Sequence, residues 1–552
     1  MKKEFRIFAI FTVMTNSILL TAQQINRDVV VVKPYEPTLS DAYKISPLPR
    51  INDTSSISPS FHYSVLPVRM EVPFELKPIK AARMVGTPLE KLYNSCLRLG
   101  IGNYFTPVAE YNINSLRSKD KLIGGYFMHH SAGSKIKLDN GDDVPAGYSD
   151  NEAGVYAKKF YTHADLSGNF RFRSDVIHYY GYNTQLYPDT TLGIKAKNIK
   201  QRYTRAGVSV KYNSTYTDSS HLNFDLNAGY QSFNDKLANF ENKLLLSAYL
   251  NKRFGEKLIG LDVDFTLLTT SVSIDSSGTS LIGASPYFSK KNEEYEFLVG
   301  GRIISAAGNQ TGVFIFPRAR LQFRIVDKIL IPYIGIDGDA SMNTYEKLSG
   351  ENPYILPASS AEITDRLFVY AGVKGRFSSK SGFDLNVTYS IINNMPLFVN
   401  DSTGKYDNKF KVITDDAELL KYSGTAYFNP GDNLNLSLSG NLYAYKMSNE
   451  QKPWHKPDYD ITFQTKYNLK QKIFADININ LTGTRFAKPY DTLQSIIKLD
   501  PVFDINLGLE YRYSGLLSIF VDIYNLTAAK YYIWNQYPGR RLNIIAGFTY
   551  KL

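Results

Sequence analysis

Apolar and polar residues alternate with a period of two through most of this chain. The segment 383–391, with the sequence FDLNVTYSI, is typical, and segments 222–228, 434–442, 475–482 and 503–510 repeat the pattern. Because successive side chains of a strand point to opposite faces of a sheet, each segment has one apolar and one polar face. Many of these segments exceed the roughly 5–6 residues of a soluble strand and reach the about 9–11 residues that a tilted strand needs to cross a bilayer.

Short and longer connections between these segments alternate along the chain. Ten short turns are predicted, with eleven longer connections, such as Val272–Ser280, around and between them. The predicted turns are Ser118–Lys121, Leu166–Asn169, Thr217–His221, Phe254–Leu258, Lys291–Tyr295, Val326–Leu330, Ser379–Phe383, Pro430–Asn433, Leu469–Ile473 and Tyr513–Leu516. This asymmetry is typical of outer-membrane barrels, in which periplasmic turns are tight and outer loops are longer. The connections imply about 22 strands, within a range of even numbers from roughly 16 to 22.

The sequence therefore predicts an all-β fold, a transmembrane antiparallel β-barrel over residues 93–552. In the bilayer core every backbone amide must be paired, and a sheet achieves this only by closing on itself. The last strand should therefore pair with the first strand, near Tyr93–Tyr104. With an even number of strands, both ends of the barrel are expected on the periplasmic side of the cell outer membrane.

Residues 1–22 are predicted to be a signal peptide. The basic segment Lys2–Arg6 precedes the mostly apolar stretch Ile7–Leu20, which is short for a spanning helix of about 20 apolar residues. Residues 23–92 follow with nine of the chain's 24 prolines, and proline lacks the amide donor that a central strand requires. We expect an extended, Pro-rich periplasmic or lumenal segment here, which either enters the barrel lumen or forms a free tail.

The chain ends on an amphipathic strand with the sequence RRLNIIAGFTYKL. Its apolar positions Phe548, Tyr550 and Leu552 resemble the C-terminal signal of outer-membrane barrels, which their assembly machinery reads. Leu552 stands where phenylalanine is the commoner residue. The resemblance implies that the barrel assembly machinery and outer-membrane lipid are partners of this chain.

The end of the chain also resembles the end of a TonB-dependent receptor barrel. The residues that carry this resemblance are Tyr524–Leu526, Lys530–Tyr532 with Trp534, Tyr537–Arg540 and Gly547–Tyr550. The resemblance implies a large barrel with a role in transport across the outer membrane. TonB-dependent receptors carry a folded plug before the barrel, and residues 23–92 lack both its length and its Gly-rich arginine motif. The expectation is therefore a receptor-like barrel without a standard plug.

Two N-terminal stretches add to this resemblance. Val29–Ile51 and Leu97–Ile113 resemble uncharacterised TonB-receptor-like barrel proteins of Bacteroidetes-type bacteria. A TonB-box-like segment comprises Asp28, Val29, Val30, Val31 and Val32, and it is similar to the segment with which such receptors add a strand to TonB. Four β-branched residues in a row also suit any extended strand.

Four aromatic residues beside the last predicted loop form a candidate cluster at the outer mouth. They are Tyr531, Tyr532, Trp534 and Tyr537. Aromatic rings with a polar tip favour the lipid–water interface, so a girdle is one interpretation. Stacking against a ligand at the mouth, such as a sugar ring, is the other.

No catalytic, cofactor-binding or metal-ligating residue is predicted, and the chain is not expected to be an enzyme. His129 and His130 are adjacent, so on a regular strand they face opposite sides and cannot ligate one metal. Asp139–Asp143 is acidic but lacks the full spacing of a calcium loop, which favours a solvated turn. Cys96, the only cysteine, cannot form an internal disulfide.

The formal net charge of +11 is spread along the chain without a dense Lys/Arg block, which argues against a nucleic-acid partner. Two functions remain open on the sequence alone. One is a transport or passage barrel whose N-terminal segment constricts the lumen. The other is a structural or assembly barrel that docks periplasmic or surface partner proteins. TonB and a surface lipoprotein are further candidate partners.

Overall fold

The computed structural model of the protein describes residues 92–552 with eight internal gaps. The gaps are 139–140, 183–194, 217–220, 273–274, 327–328, 358–361, 402–405 and 490–494. The predicted signal peptide, the segment Asp28–Val32 and the Pro-rich segment up to residue 91 lie outside the described residues.

Twenty-two antiparallel strands form one closed sheet. The first eleven are β1 Ser95–Gly102, β2 Val108–Asn114, β3 Lys121–Ala132, β4 Tyr148–Phe160, β5 Ala164–His178, β6 Lys200–Ser214, β7 Leu222–Asp235, β8 Phe240–Phe254, β9 Lys257–Val272, β10 Asp275–Lys291 and β11 Tyr295–Gly308. The others are β12 Gly312–Phe323, β13 Ile331–Met342, β14 Ile363–Ser378, β15 Ser381–Asn400, β16 Phe410–Gly431, β17 Leu434–Met447, β18 Tyr459–Leu469, β19 Ile473–Thr482, β20 Val502–Arg512, β21 Leu517–Tyr524 and β22 Asn543–Lys551. Each strand pairs with the next along the chain.

The last strand closes the barrel by pairing with the first. Leu99 of β1 lies opposite Phe548 of β22, and Leu97 lies opposite Tyr550. The backbone of Ser95 exchanges two hydrogen bonds with Leu552, at 2.9 and 3.2 Å between nitrogen and oxygen. The predicted closed antiparallel barrel of 22 strands is therefore confirmed, and so is the predicted pairing of the chain's end with the stretch Tyr93–Tyr104.

Successive connections lie at opposite ends of the barrel. The turn end carries β2–β3, β4–β5 and every second connection after them, and the loop end carries the others. Turns at the turn end have two to seven residues. Seven of the eleven loop-end connections have nine to 21 residues, and the other four have two to five. Two predicted boundaries were wrong. Leu166–Asn169 lies inside β5, because its small polar residues pair with β6, and the turn is 161–163. Most of Val272–Ser280 is paired strand, where serine and threonine hydroxyls lie on β9 and β10 without ending them.

The two faces of the sheet differ in polarity as the alternation predicts. Apolar side chains such as Ile123, Phe170 and Val208 are exposed on the outer face. Charged side chains pair on the inner face, with Arg318 and Asp262 2.9 Å apart between guanidinium nitrogen and carboxylate oxygen. An apolar outer wall and a hydrated, charged inner wall are what a barrel in lipid requires.

Small elements occupy the loop end. Helices α1 (Ala196–Ile199) and α2 (Tyr345–Glu351) are short, and no helix among the described residues has the length and apolar character needed to cross a membrane. Three short hairpins also lie in the loops. They pair Lys135–Lys137 with Asp143–Pro145, Arg485–Ala487 with Ile497–Leu499, and Tyr532–Trp534 with Tyr537–Pro538.

Candidate functional site

We call seven connections at the loop end the lid. The lid comprises the described residues of 133–147, 179–199, 343–362, 401–409, 448–458, 483–501 and 525–542. Four of these connections contribute to one largely aromatic buried cluster, together with side chains from the rims of the strands. Its members are Ile136, Val144, Ala146, Tyr179, Tyr180, Tyr182, Ile199, Tyr203, Phe233, Tyr345, Leu348, Ile355, Phe398, Phe410, Trp534 and Tyr537. Because these connections leave strands far apart around the closed sheet, the cluster that joins them lies across the mouth.

Tyr537 lies at the centre of this cluster and is fully buried. Its ring stacks on Tyr354 at 3.7 Å between centroids and meets Tyr180 edge-on at 4.9 Å. Its hydroxyl donates a hydrogen bond to the backbone oxygen of Asn408. Burial raises the pKa of Tyr537 well above its usual value, so the hydroxyl keeps its proton and stays a donor. A Cβ on Gly181 would lie 2.6 Å from the Tyr537 ring, so this close contact requires glycine.

Polar side chains extend this contact to neighbouring loops. The Asn408 amide donates to the backbone oxygen of Tyr179 at 2.6 Å, and the Tyr180 hydroxyl donates to the backbone oxygen of Pro538 at 3.0 Å. The connections 179–199, 401–409 and 525–542 are therefore linked by hydrogen bonds as well as by packing. A buried donor that loses its partner costs about 1–3 kcal/mol, so these bonds favour one arrangement of the loops.

The connection 525–542 is held at both its base and its tip. The Asn525 amide donates to the backbone oxygens of Ala529 and Arg540, at 2.8 and 3.1 Å. The Arg485 guanidinium donates to the backbone oxygens of Ile533 and Tyr532, at 2.6 and 2.7 Å. Such a planar fork engages two acceptors at once, which the single ammonium of lysine does not reproduce.

His455 joins the connection 448–458 to the same cluster. It is buried, and its Nδ1 lies 2.9 Å from the backbone oxygen of Phe398. The backbone N–H of Asn535 donates to His455 Nε2 at 3.4 Å. Burial lowers the pKa of His455 to about 4, with the charges of Arg485 and Lys456 adding to the effect. The imidazole is therefore neutral near pH 7, with Nδ1 as its donor and Nε2 as its acceptor.

Helix α2 reaches from the lid to the inner wall of the barrel. The Thr344 side chain caps it by accepting from the backbone of Lys347. The backbone N–H groups of Tyr345 and Glu346 donate to the two carboxylate oxygens of Glu241, each at 2.7 Å. Because Glu241 belongs to β8, a wall residue satisfies the free amides at the start of this helix.

The Glu346 carboxylate then meets a group of wall side chains. Its Oε2 lies 3.1 Å from the Lys243 ammonium, and its Oε1 lies 3.7 Å from the Arg205 guanidinium. The Gln231 amide also donates to Oε1. Arg205 makes a second ion pair with Asp175 of β5, at 2.5 Å. Strands β5, β6, β7 and β8 thus all contribute side chains to the group that binds this one helix of the lid.

A cavity of about 1030 Å³ lies beside these contacts, bordered by the lid and by the inner wall of β3–β8 and β20–β22. A volume of this size is at the upper end of small-molecule binding sites. The lining contains side chains of both positive and negative charge, and several of the other lining residues are tyrosines. The charged lining residues are Asp150, Glu152, Arg171, Arg173, Asp175, Arg205, Glu346, Lys347, Asp504, Arg540 and Arg541.

Arg540 differs from Arg171, Arg173 and Arg205, the arginines on the wall side of this lining, each of which pairs with a carboxylate. Its guanidinium donates to the backbone oxygen of Ala146 and to the Ser134 hydroxyl, and it lies 5.0 Å from the ring centroid of Tyr148. No carboxylate of the described residues forms an ion pair with it. A half-buried cation held only by neutral groups can still accept an anion.

The structure places the predicted aromatic cluster in several environments. Trp534 and Tyr537 are buried inside the lid, with Trp534 edge-on to Phe398 at 5.2 Å between centroids. Tyr531 borders the cavity, and the next residue, Tyr532, is half-buried. Of these four residues, only Tyr531 is therefore positioned to touch a molecule in the cavity in this conformation.

The histidines and acidic residues weighed from the sequence do not form a joint site. His129 binds Asn151 and Ser131, whereas His130 lies 3.1 Å from the Tyr148 hydroxyl and lines the cavity. The two histidines therefore face opposite sides. No group of three or more potential metal-binding side chains occurs in the described part of the chain. Of the acidic segment 139–143, positions 139 and 140 lie outside the described residues.

Sequence reasoning missed the charged residues that join α2 to the wall. Lys243 and Glu346 are 103 positions apart, and Arg205 is even farther from Glu346. Each lies on a strand or loop whose local pattern is ordinary. The only available signal was charge on the polar faces of β6 and β8, and many other strands carry the same.

No family model matches the chain, and no curated protein matches it. Solved structures do match it over most of its length. The ferric-catecholate import receptor Fiu from Escherichia coli K12 has a TM-score of 0.61 at 10% identity, covering 84% of this chain and 82% of its own. The siderophore receptor PirA from Acinetobacter baumannii has a TM-score of 0.65 at 9% identity, with coverages of 84% and 81%.

The FrpB iron transporter from Neisseria meningitidis is similar to the same extent, with a TM-score of 0.64 at 9% identity and coverages of 84% and 82%. At such low identity the similarity establishes the fold alone. The chain thus shares the barrel fold of these receptors and of this transporter.

Proposed function

We propose that this protein is an integral outer-membrane β-barrel that transports or passes a solute, similar to TonB-dependent receptors. The observation that carries the proposal is a cavity with charged walls, enclosed by a lid at one end of a closed 22-strand barrel. The loop end faces outward, so both barrel termini lie on the periplasmic side. Barrels of this size enclose a lumen that is normally filled or plugged.

The structural neighbours support a role in transport. They are described as an import receptor, a siderophore receptor and an iron transporter. In this chain the cavity takes the solute from outside once the lid opens. Since the neighbours bind and move solutes, they also favour a transporter over an enzyme.

Residues 23–92 constrict the lumen in the place of a standard plug, in a receptor-like barrel of Bacteroidetes type. The resemblance of Asp28–Val32 to the strand-adding segment of receptors supports a contact with TonB. Phe548, Tyr550 and Leu552 serve as the C-terminal signal for the barrel assembly machinery. A surface lipoprotein that delivers the solute is a further partner in this proposal.

A second function is favoured by one observation. The lid is held by a packed aromatic core with Tyr537 fully buried, an arrangement that also suits a stable docking surface for partner proteins. In that case the barrel is structural and conducts little.

Planar-bilayer conductance separates the two functions. Four proteins are compared: the full chain, a deletion of residues 23–90, a deletion of 344–356 from the lid, and the double deletion. Transport predicts that the full chain is closed and that the double deletion forms an open pore, with an intermediate or gated pore for the single deletions. A double deletion that is folded by heat-modifiable gel migration yet never conducts would refute transport and favour docking.

A further inference from the structure

Three wall side chains converge on one carboxylate that the lid supplies. Lys243 and Arg205 are cations, Gln231 contributes an amide donor, and Glu346 is the only acidic side chain that α2 directs to them. The group is half-buried, with 17–22% of the Arg205 and Lys243 side chains exposed. Two cations and an amide around one site match the oxygens of a carboxylate or a phosphate.

Glu346 is the carboxylate that Lys243 and Arg205 share. Arg205 shares Asp175 with Arg173, which lies 2.8 Å from the same carboxylate. Lys243 has no ion pair other than that with Glu346 in the described part of the chain. Removing the lid carboxylate therefore leaves at least one uncompensated cation in a half-buried place, and such a cation favours the binding of a replacement anion.

The group also borders the cavity, which a ligand would enter. Arg205, Gln231 and Glu346 all belong to the cavity lining, and Arg540 lies on the same lining without a carboxylate partner. An anion in this cavity thus meets Arg540, which has no carboxylate partner in the described part of the chain, and Arg205, one of whose two carboxylate partners belongs to the lid. No new backbone arrangement of the wall is needed to bind it.

We propose that Arg205, Lys243 and Gln231 form a binding site for a carboxylate or phosphate group of a ligand, and that Glu346 occupies this site in the closed state. A ligand anion displaces Glu346, which removes the ion pairs between α2 and the wall and loosens the lid. The inference rests on the proposed function, because it assigns the ligand chemistry and the opening of the same cavity. Displacement is coupled to opening because the ion pairs of Glu346 are lost, and α2 then keeps only hydrogen bonds to the wall. These are the bonds that Glu241 accepts from two backbone amides and the bond that Asp235 accepts from the Tyr345 hydroxyl.

The test measures the distance between α2 and the rim in the full-length protein, reconstituted in lipid nanodiscs. Spin labels are placed at Gly350, where a side chain would meet open space, and at Leu237, which is exposed on the rim, in a Cys96→Ala background. Double electron–electron resonance is recorded with citrate, inorganic phosphate or chloride at one ionic strength. Citrate and phosphate are the two arms that distinguish a carboxylate from a phosphate ligand.

In the unsubstituted chain, citrate or phosphate should shift the distances to longer values, whereas chloride should not. Glu346→Gln should populate the longer distances without any anion and lower the anion midpoint about tenfold, because the competing carboxylate is gone. Lys243→Gln should lose most of the anion response. Glu351→Gln is the matched control on the same helix, since Glu351 pairs with Lys456 of the lid and does not reach the wall.

The proposal is overturned if Glu346→Gln keeps the closed distances and the original midpoint, or if Glu351→Gln opens the lid equally. It is also overturned if Lys243→Gln responds to anions like the unsubstituted chain. The distance measurement does not depend on solute flux. If the full-length protein shows the anion response while the double deletion does not conduct, the anion site is supported and the transport proposal is refuted.

Discussion

Gly100 of the first strand lies directly opposite Gly547 of the last strand. A Cβ on Gly547 would lie 2.0 Å from the backbone oxygen of Leu99, and a Cβ on Gly100 would lie 2.8 Å from the Phe520 ring. The seam that closes the barrel is thus packed too tightly for any side chain at Gly547. Relief at this position requires the two backbones to separate, since the obstructing atom belongs to the main chain.

Gly547→Ala should therefore impair barrel closure. We expect a loss of about 1–3 kcal/mol, typical of an overpacked site, and a lower yield of the heat-modifiable folded form on gels. Gly168→Ala in β5 is the matched control, because the nearest atom to its added Cβ is a backbone oxygen at 3.7 Å. Equal yields of the two variants would contradict a tight seam.

The barrel was predictable because period-two alternation and the alternation of turn lengths are local signals repeated along the chain. Even the closing pair of strands followed, since lipid allows no free edge. The two boundary errors share one cause. Small residues that are common in turns occur at both places, namely Ser167 and Gly168 in β5 and Ser276 and Ser277 in β10. Here their backbones complete ladders with neighbouring strands.

The candidate site was not predictable to the same degree. The aromatic density of 531–537 drew attention to the right loop, but the burial of Tyr537 depends on Asn408, which is 129 positions away. The pairing of Glu346 with Lys243 likewise exists only because a loop folds back over the mouth. Such contacts are set by tertiary folding, and no local periodicity reports them.

Tyr537 should control the stability of the lid without affecting the barrel. Tyr537→Phe removes the hydrogen bond to Asn408 and should destabilise the lid by about 1 kcal/mol, whereas Tyr537→Ala leaves a cavity worth about 3–5 kcal/mol. Amide hydrogen exchange should show faster exchange in 343–357 and 406–409, with the strand amides unchanged. Tyr513→Ala at the turn end serves as the control, because 66% of Tyr513 is exposed. Faster exchange throughout the strands would contradict a separate role of the lid.

His455 should make lid closure depend on pH. Its pKa is about 4 when the lid is closed and near 6.5 when the side chain is exposed. Closure is thus at full strength above about pH 6.5, where His455 is neutral in both states, and it weakens as the pH falls towards 4, because only the open state gains a proton. The loss reaches on the order of 3 kcal/mol at pH 4 and levels off below it, once His455 is protonated in both states.

The measurement is hydrogen exchange of 448–458 and 532–537 between pH 7 and pH 4, corrected for intrinsic exchange. His455→Gln keeps a hydrogen-bonding side chain but cannot titrate, so its lid should lack this dependence. A pH profile that is unchanged by His455→Gln would assign the effect to other groups.

If the barrel spans a membrane, a new charge should cost much more stability on the outer face of a strand than on its inner face. Leu438 of β17 is 47% exposed on the outer face, and its neighbour Ser437 faces the lumen with Asn435. Leu438→Lys places an ammonium against hydrocarbon and should cost about 2–4 kcal/mol near the bilayer centre, falling towards the interface. Ser437→Lys places the same ammonium in the hydrated lumen and should cost little.

Reversible unfolding in urea, in liposomes that support barrel folding, gives the two free energies. The same pair in a detergent micelle should differ less, because a micelle adapts to a buried charge more readily than a bilayer does. If Ser437→Lys proved the more costly of the two in liposomes, the outer face could not be the one in contact with lipid, and the membrane placement of this barrel would fail.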